Sequence, residues 1–291
     1  MVDFGRLVTA MITPMDANGT VDIEKCVALA QYLEKNGSTA ILLAGTTGES
    51  PVLSADEKCD MFINVKKNVN IPVIANIGTN STAASIANLK LAEECGVDGL
   101  LAVVPYYNKP NAASQILHFS TLAEASKLPI IMYNVPGRTG TNMTAETTIR
   151  LSKVKNIAGI KEASGNLEQL AEIVKGAADG FIVYTGEDNQ TLPTLAVGGY
   201  GVVSVAAHVV GNEMSDMINS YVKGDIAHAK EMHLKLLEID KRLFMTANPI
   251  PVKEAMNILG FNVGNPRLPL APADEIVVAS LTEELKSLGK L

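Results

Sequence analysis

A chain of 291 residues with 47% hydrophobic content has enough apolar material for one large packed domain, with or without a small appendage, and is not the composition of a disordered chain. A formal charge of -7 without a Lys/Arg stripe excludes a general nucleic-acid binder, which needs a basic excess to neutralise phosphates. Cys26, Cys59 and Cys95 are too few and too scattered for a disulfide framework, and the opening MVDFGRLVTAMITP has no basic leader, so a reducing, intracellular setting is expected.

Short apolar runs recur in chain order: LVTAMI at 7–12, TAILLA at 39–44, PVIANI at 72–77 and DGLLAVV at 98–104. PIIMYN at 129–134, IAGIK at 157–161, FIVYT at 181–185 and GVVSV at 201–205 follow. Between them lie helix-like segments such as VDIEKCVALAQYLEKNG, SADEKCDMFINVKKNV, TAASIANLKLAEECG and NLEQLAEIVKGA, with helix start and stop signals. Eight strand and helix alternations predict parallel strands covered by helices, and their spacing matches an α/β fold of the closed (β/α)8 TIM-barrel type over residues 1–224 better than an open sheet. No Rossmann glycine fingerprint follows the first run, and no run is long enough to span a membrane. From 225 to 291 the pattern turns all-helical, which predicts a small C-terminal helical extension divided by Pro249, Pro251, Pro266, Pro269 and Pro272.

In such a barrel the carboxyl ends of the strands converge on one face. Lys161, directly after the apolar run NIAGI, lies at such an end, as do Thr46 and Thr47 in AGTTGES, Pro105–Tyr107 in VVPYYNKP, and Tyr133–Arg138 in MYNVPGRTG. Taken alone, Lys161 reads as an amine turned outward where a strand stops at Ile160. Converging ends favour chemistry instead: a partly desolvated lysine attacks carbonyls and forms a protonated Schiff base that withdraws electrons from the adjacent carbon. Tyr133, one strand earlier at the same height, is a candidate proton relay, supported by the hydroxyl of Thr46 or Thr47. The turn Gly45–Ser50, with a helix expected to begin nearby, offers backbone donors to a carboxylate, and Arg138 offers a bidentate contact to a second one. The four histidines form no ligand motif, and a Schiff-base lysine needs no metal or cofactor.

GTTGE, PYYNKP, YNVPGRTG, GIKEAS and TGEDN, in that order, resemble the pyruvate-dependent class I aldolase and lyase family. The arginine in YNVPGRTG resembles its dihydrodipicolinate synthase branch, over almost the whole chain. The resemblance implies a pyruvate imine on Lys161, a proton relay at Tyr133, and Thr46 linking Tyr133 to Tyr107, which reaches across a tight dimer into the neighbouring site. It further implies that Thr47 holds the pyruvate carboxylate, that Arg138 receives the carboxylate of L-aspartate 4-semialdehyde, and that Gly186 and Val203 line the pocket. The implied assembly is a homotetramer of two tight dimers, and the implied setting is diaminopimelate and lysine biosynthesis. An N-acetylneuraminate lyase or a 2-keto-3-deoxy sugar acid aldolase would keep Lys161 and Tyr133 but replace the arginine. A non-enzymatic small-molecule-binding barrel would require neither, and a metal-dependent aldolase would be silenced by chelator.

Feedback-inhibited members bind lysine at the tight-dimer interface. Asn80 and Tyr106 remain from that pattern, but PVLSADEKCD lacks its histidine, Ala84 replaces an acid, and Lys58 adds a positive charge. Weak or absent inhibition by lysine is therefore expected unless Glu49, Glu57 or another nearby carboxylate compensates.

Overall fold

The computed structural model describes residues 3–291. Eight parallel strands close on themselves in chain order: β1 Leu7–Ala10, β2 Ala40–Leu43, β3 Val73–Asn76, β4 Gly99–Val103, β5 Ile130–Asn134, β6 Ile157–Glu162, β7 Ile182–Thr185 and β8 Gly201–Ser204. Closure comes from β8 against β1, where Leu7 pairs with Val202 and Val8 with Val203. The (β/α)8 barrel expected from the alternating runs is thus the observed fold.

Each strand is short and buried on both faces because it separates two apolar layers. Alternate residues point inward, so Val8, Ala10, Ala40, Leu42, Ile74 and Leu101 share the barrel interior. Their neighbours Leu7, Ile41, Leu43, Val73 and Leu100 belong to the larger layer beneath the helices. Phe4 is buried in the interior cluster, against the glycine that begins β4: a Cβ on Gly99 would stand 2.3 Å from the Phe4 ring. Only glycine leaves room for that ring.

The helices are α1 Ile23–Lys35, α2 Ala55–Asn68, α3 Thr82–Glu94, α4 Ala112–Ala125, α5 Pro136–Thr139, α6 Ala145–Leu151, α7 Leu167–Gly176, α8 Thr191–Ala196 and α9 Ala207–Lys223. Side-chain caps define the starts of α1–α4, α6 and α7. Asp22, Ser81, Asn111 and Asn166 each accept a first-turn amide, and Ser54 with Glu57 forms a reciprocal capping box on α2; each such cap contributes about 1 kcal/mol. Gly224 ends α9 in the left-handed conformation, and α10 Ile226–Arg242, α11 Ile250–Ile258 and α12 Glu275–Ser287 complete the chain. The prolines divide this segment differently from expectation. Pro249 is the cap of α11 and Pro251 sits in its first turn, where a missing amide costs nothing, so Pro251 starts a helix and does not separate two.

Candidate active site

Lys161 does not follow a strand; it lies within β6, between Ile160 and Glu162, and is 6% exposed. The outward-turned amine that the isolated segment suggests is therefore incorrect. Alternation decides the matter: Ile160 packs in the outer layer, while Lys161 and Ala163 fall on the interior side. Across the ladder Lys161 is in register with Tyr133 of β5 and Tyr184 of β7, and its Nζ stands 4.5 Å from the Tyr133 ring centroid.

Glu162, facing the helices, is held by neutral donors alone. Asn134 Nδ2 donates to both carboxylate oxygens at 3.2 and 3.0 Å, Gln169 Nε2 donates at 3.1 Å, and the Ser164 amide donates at 2.8 Å. This network ties the ends of β5 and β6 together and so fixes the spacing between Tyr133 and Lys161. It was not apparent in the motifs, although Asn134 sits inside one of them.

Burial pushes the Lys161 amine down to about 8, with Asp188 and Glu187 opposing the shift and Arg138 reinforcing it. A group poised there is protonated at rest yet readily supplies free amine. Burial pushes the Tyr133 phenol up to about 12, against Arg138 and the Thr46 hydroxyl, so at neutral pH Tyr133 is a proton-bearing donor.

These side chains open into a cavity of about 500 Å³ lined by Thr46, Thr47, Tyr133, Arg138, Lys161 and Gly186, together with Glu187, Val205, Phe244 and Asn248. Gly186 is required by close approach, because a Cβ there would lie 2.6 Å from Ala163 Cβ and 2.7 Å from Lys161 Cε. The turn carrying Thr46 and Thr47 leads into a short 3-10 helix, Ser50–Val52, and then α2, so a helix does begin nearby as expected. What holds that turn is the helical extension: Asn248 Nδ2 donates to Thr47 Oγ1 at 2.9 Å, and Lys253 Nζ donates to Glu49 Oε1 at 2.7 Å.

Not every expected residue lines this cavity. Val203 packs in the barrel interior with Tyr133 and Ala163, and the aliphatic wall is Val205 instead. Tyr107 is 87% exposed, in a left-handed backbone conformation, and lines neither this cavity nor its neighbour. The neighbouring cavity, about 400 Å³, shares Thr46, Tyr133, Val135 and Arg138 with the first and also contains Lys58 and Tyr106. Asn80 is not part of its wall; its carbonyl accepts from Asn108 Nδ2 at 2.8 Å. Among the described residues no group of three or more His, Cys, Asp or Glu could hold a metal.

A sequence profile of the Dihydrodipicolinate synthetase family matches residues 3–288. The 4-hydroxy-tetrahydrodipicolinate synthase of Moorella thermoacetica is 48% identical over 292 residues, covering 100% of both chains. A crystal structure of dihydrodipicolinate synthase from Bacillus anthracis matches with a TM-score of 0.96 at 45% identity, covering 99% of each chain. The Cyanidioschyzon merolae protein, solved with lysine bound, matches with a TM-score of 0.97 at 44% identity over 99% of each chain. Matched from end to end in both sequence and structure, the chain belongs to the dihydrodipicolinate synthetase family.

Proposed function

We propose that this chain is a 4-hydroxy-tetrahydrodipicolinate synthase, condensing pyruvate with L-aspartate 4-semialdehyde on the diaminopimelate and lysine route, with Lys161 as the imine-forming residue. The observation that carries the residue assignment is the buried Lys161 amine, pushed down to about 8 and in register with the proton-bearing Tyr133. Lys161 attacks the ketone carbon of pyruvate, and Tyr133 delivers the proton that lets the carbinolamine oxygen leave as water. The protonated imine withdraws electrons and acidifies the methyl carbon, whose proton returns to the Tyr133 oxygen that has just given one up, leaving an enamine. That carbon bonds to the aldehyde carbon of the second substrate, whose own amine attacks the imine carbon, closes the ring and releases Lys161. No cofactor enters. Thr47 receives the pyruvate carboxylate, Arg138 the second carboxylate, and exposed Tyr107 is suited to completing the site of another copy in a tight dimer, two of which form a tetramer. The three free thiols suit a cytoplasmic location.

Arg138 separates the half-reactions. Arg138→Ala should raise the semialdehyde requirement by roughly 10- to 100-fold through loss of a charge-assisted carboxylate contact. Borohydride trapping of the pyruvate imine should slow by no more than about threefold, since only a secondary influence on Lys161 is lost. Equal losses in both steps would assign Arg138 a structural role, and preference for N-acetylmannosamine or a short sugar aldehyde would move the chain to a sugar-acid lyase.

Lysine should leave the enzyme nearly unaffected. The neighbouring cavity presents the Lys58 amine, whose burial already disfavours its charged form, and Ala84 supplies no carboxylate. The compensating acids are occupied: Glu57 forms a two-pronged ion pair with Arg267, and Glu49 is paired with Lys253. Glu57 favours the charged form of Lys58 but is already committed to Arg267, so a cationic amino acid would meet a cation with no carboxylate to spare. Steady-state rates at half-saturating substrates should stay flat across submillimolar lysine; strong inhibition, with calorimetric binding abolished by Tyr106→Ala, would show a working effector site.

A further inference from the structure

The helical extension reaches the imine-forming lysine from behind. Asp188, in the turn after β7, accepts from the amides of Val205 and Ala206 through Oδ2, both at 3.0 Å, while its Oδ1 is buried with no hydrogen-bond partner. Asp240, on α10, is also buried, and its Oδ1 likewise has no partner. α10 packs on the turn 188–190, and the Asp188 charge acts on Asp240, so the two buried carboxyls fall where the extension meets the barrel. Two carboxylates excluded from water in one seam cannot both ionise without large cost, and one proton relieves both the repulsion and an unmet acceptor.

The surroundings decide where that proton resides. Burial raises Asp188, but the two amides and the Lys161 cation work for its anion. Burial and the charge of Asp188 push Asp240 up to about 8, with no cation opposing them. On its own helix Lys241 is exposed and Arg242 is turned to Glu238, Glu283 and Glu284, and His208 on α9 is held neutral by burial.

We propose that Asp240 is a positioning residue of the imine-forming site, carrying the proton that leaves Asp188 as the single charged partner in this seam and so setting, through Asp188, the charge felt by Lys161. The catalytic half of this inference rests on Lys161 being the imine-forming amine; the protonation of Asp240 does not. Glu187 also favours the Lys161 cation and Arg138 disfavours it, but neither lies on the extension. Ionisation of Asp240 adds a negative charge that holds the proton on Lys161, so the two groups titrate against each other.

The rate of borohydride-trapped imine formation with pyruvate, followed against pH, should therefore be shallower than a single ionisation in the unaltered enzyme. In Asp240→Asn the midpoint should fall and the curve sharpen to one ionisation. A merely structural residue would scale the rate and leave both unchanged, and that result overturns the catalytic half. Melting tests the proton independently of activity. A carboxyl raised from 3.8 to about 8 contributes stability at low pH that is lost as pH rises toward the folded value. The melting temperature of Asp240→Asn minus that of the unaltered protein should rise steadily between about pH 4 and pH 8 and then level off; a pH-independent difference overturns the assignment. Should the variant fail to fold, infrared spectra of the unaltered protein must show a carboxylic-acid carbonyl band at neutral pH that disappears through about pH 8. Absence of that band refutes a protonated Asp240.

Discussion

Lys161→Ala is expected to lower turnover by about three orders of magnitude or more, because the imine it forms carries the whole reaction and no second amine is in register with Tyr133. Pyruvate and borohydride should leave a reduced three-carbon adduct on the peptide containing Lys161 and none on the variant. An active protein labelled elsewhere, or not at all, would remove the central assignment. Lys161→Met should also be inactive and yet more stable. Burial holds the amine near 8 in the folded chain against an ordinary value of 10.5, outweighing the help of Asp188 and Glu187, so between these values the unfolded chain binds the extra proton. Folding is penalised below pH 8, and the penalty fades as pH rises through 10.5. Replacing the amine with an apolar stem of similar length should therefore raise stability at pH 7 by on the order of 1–3 kcal/mol, and the gain should vanish in alkaline melts. A destabilised Lys161→Met would mean that the buried carboxylates need the cation more than burial disfavours it.

That trade-off explains why the barrel and half of the site could be read from the sequence. Strands buried on both sides give uninterrupted apolar runs, and a side chain whose burial works against folding interrupts them visibly, as Lys161 does after Ile160. Tyr133, Arg138 and the threonine turn stood out because each lies at the end of its own run, and the ladder brings such ends together without further information. The strand's true end was less legible. Polarity marked Lys161 as the point of exit, whereas the neutral donors around Glu162 let β6 continue two residues beyond Ile160. Least legible were the contacts from the extension. Asn248 to Thr47 and Lys253 to Glu49 span sequence separations of 201 and 204, and neither Asn248 nor Lys253 belongs to a motif or interrupts an apolar pattern. Asp240 sits among the charged residues of an amphipathic helix, where nothing local separates a buried acid from a solvated one.

Breaking the extension's grip on the carboxylate turn should destabilise the fold strongly, because it strands a buried charge. Glu49 and Lys253 are 2% and 1% exposed at the side chain, and their ion pair measures 2.7 Å. The Arg267 amide also donates to Glu49 at 2.8 Å, and Lys253 donates to the Asn265 carbonyl at 3.0 Å. Glu49 adopts a left-handed backbone with φ of 59°, a conformation that costs a non-glycine residue about 1 kcal/mol or more unless its surroundings impose it. Lys253→Met removes the cation, strands a buried carboxylate with one amide donor, and leaves that backbone less firmly held. The expected loss is about 3–5 kcal/mol, read as a lower urea midpoint with an unchanged slope. Glu49→Gln combined with Lys253→Met should recover much of it, because most of the loss comes from the stranded charge and little from the net value of the pair. At temperatures where Lys253→Met remains folded, the pyruvate requirement should rise while the rate at saturation changes less, since the turn it supports carries Thr47 and not Lys161. A single variant as stable as the parent would show that water reaches Glu49. A double variant no better than the single would instead show that the ion pair itself, with its particular geometry, holds the turn in place.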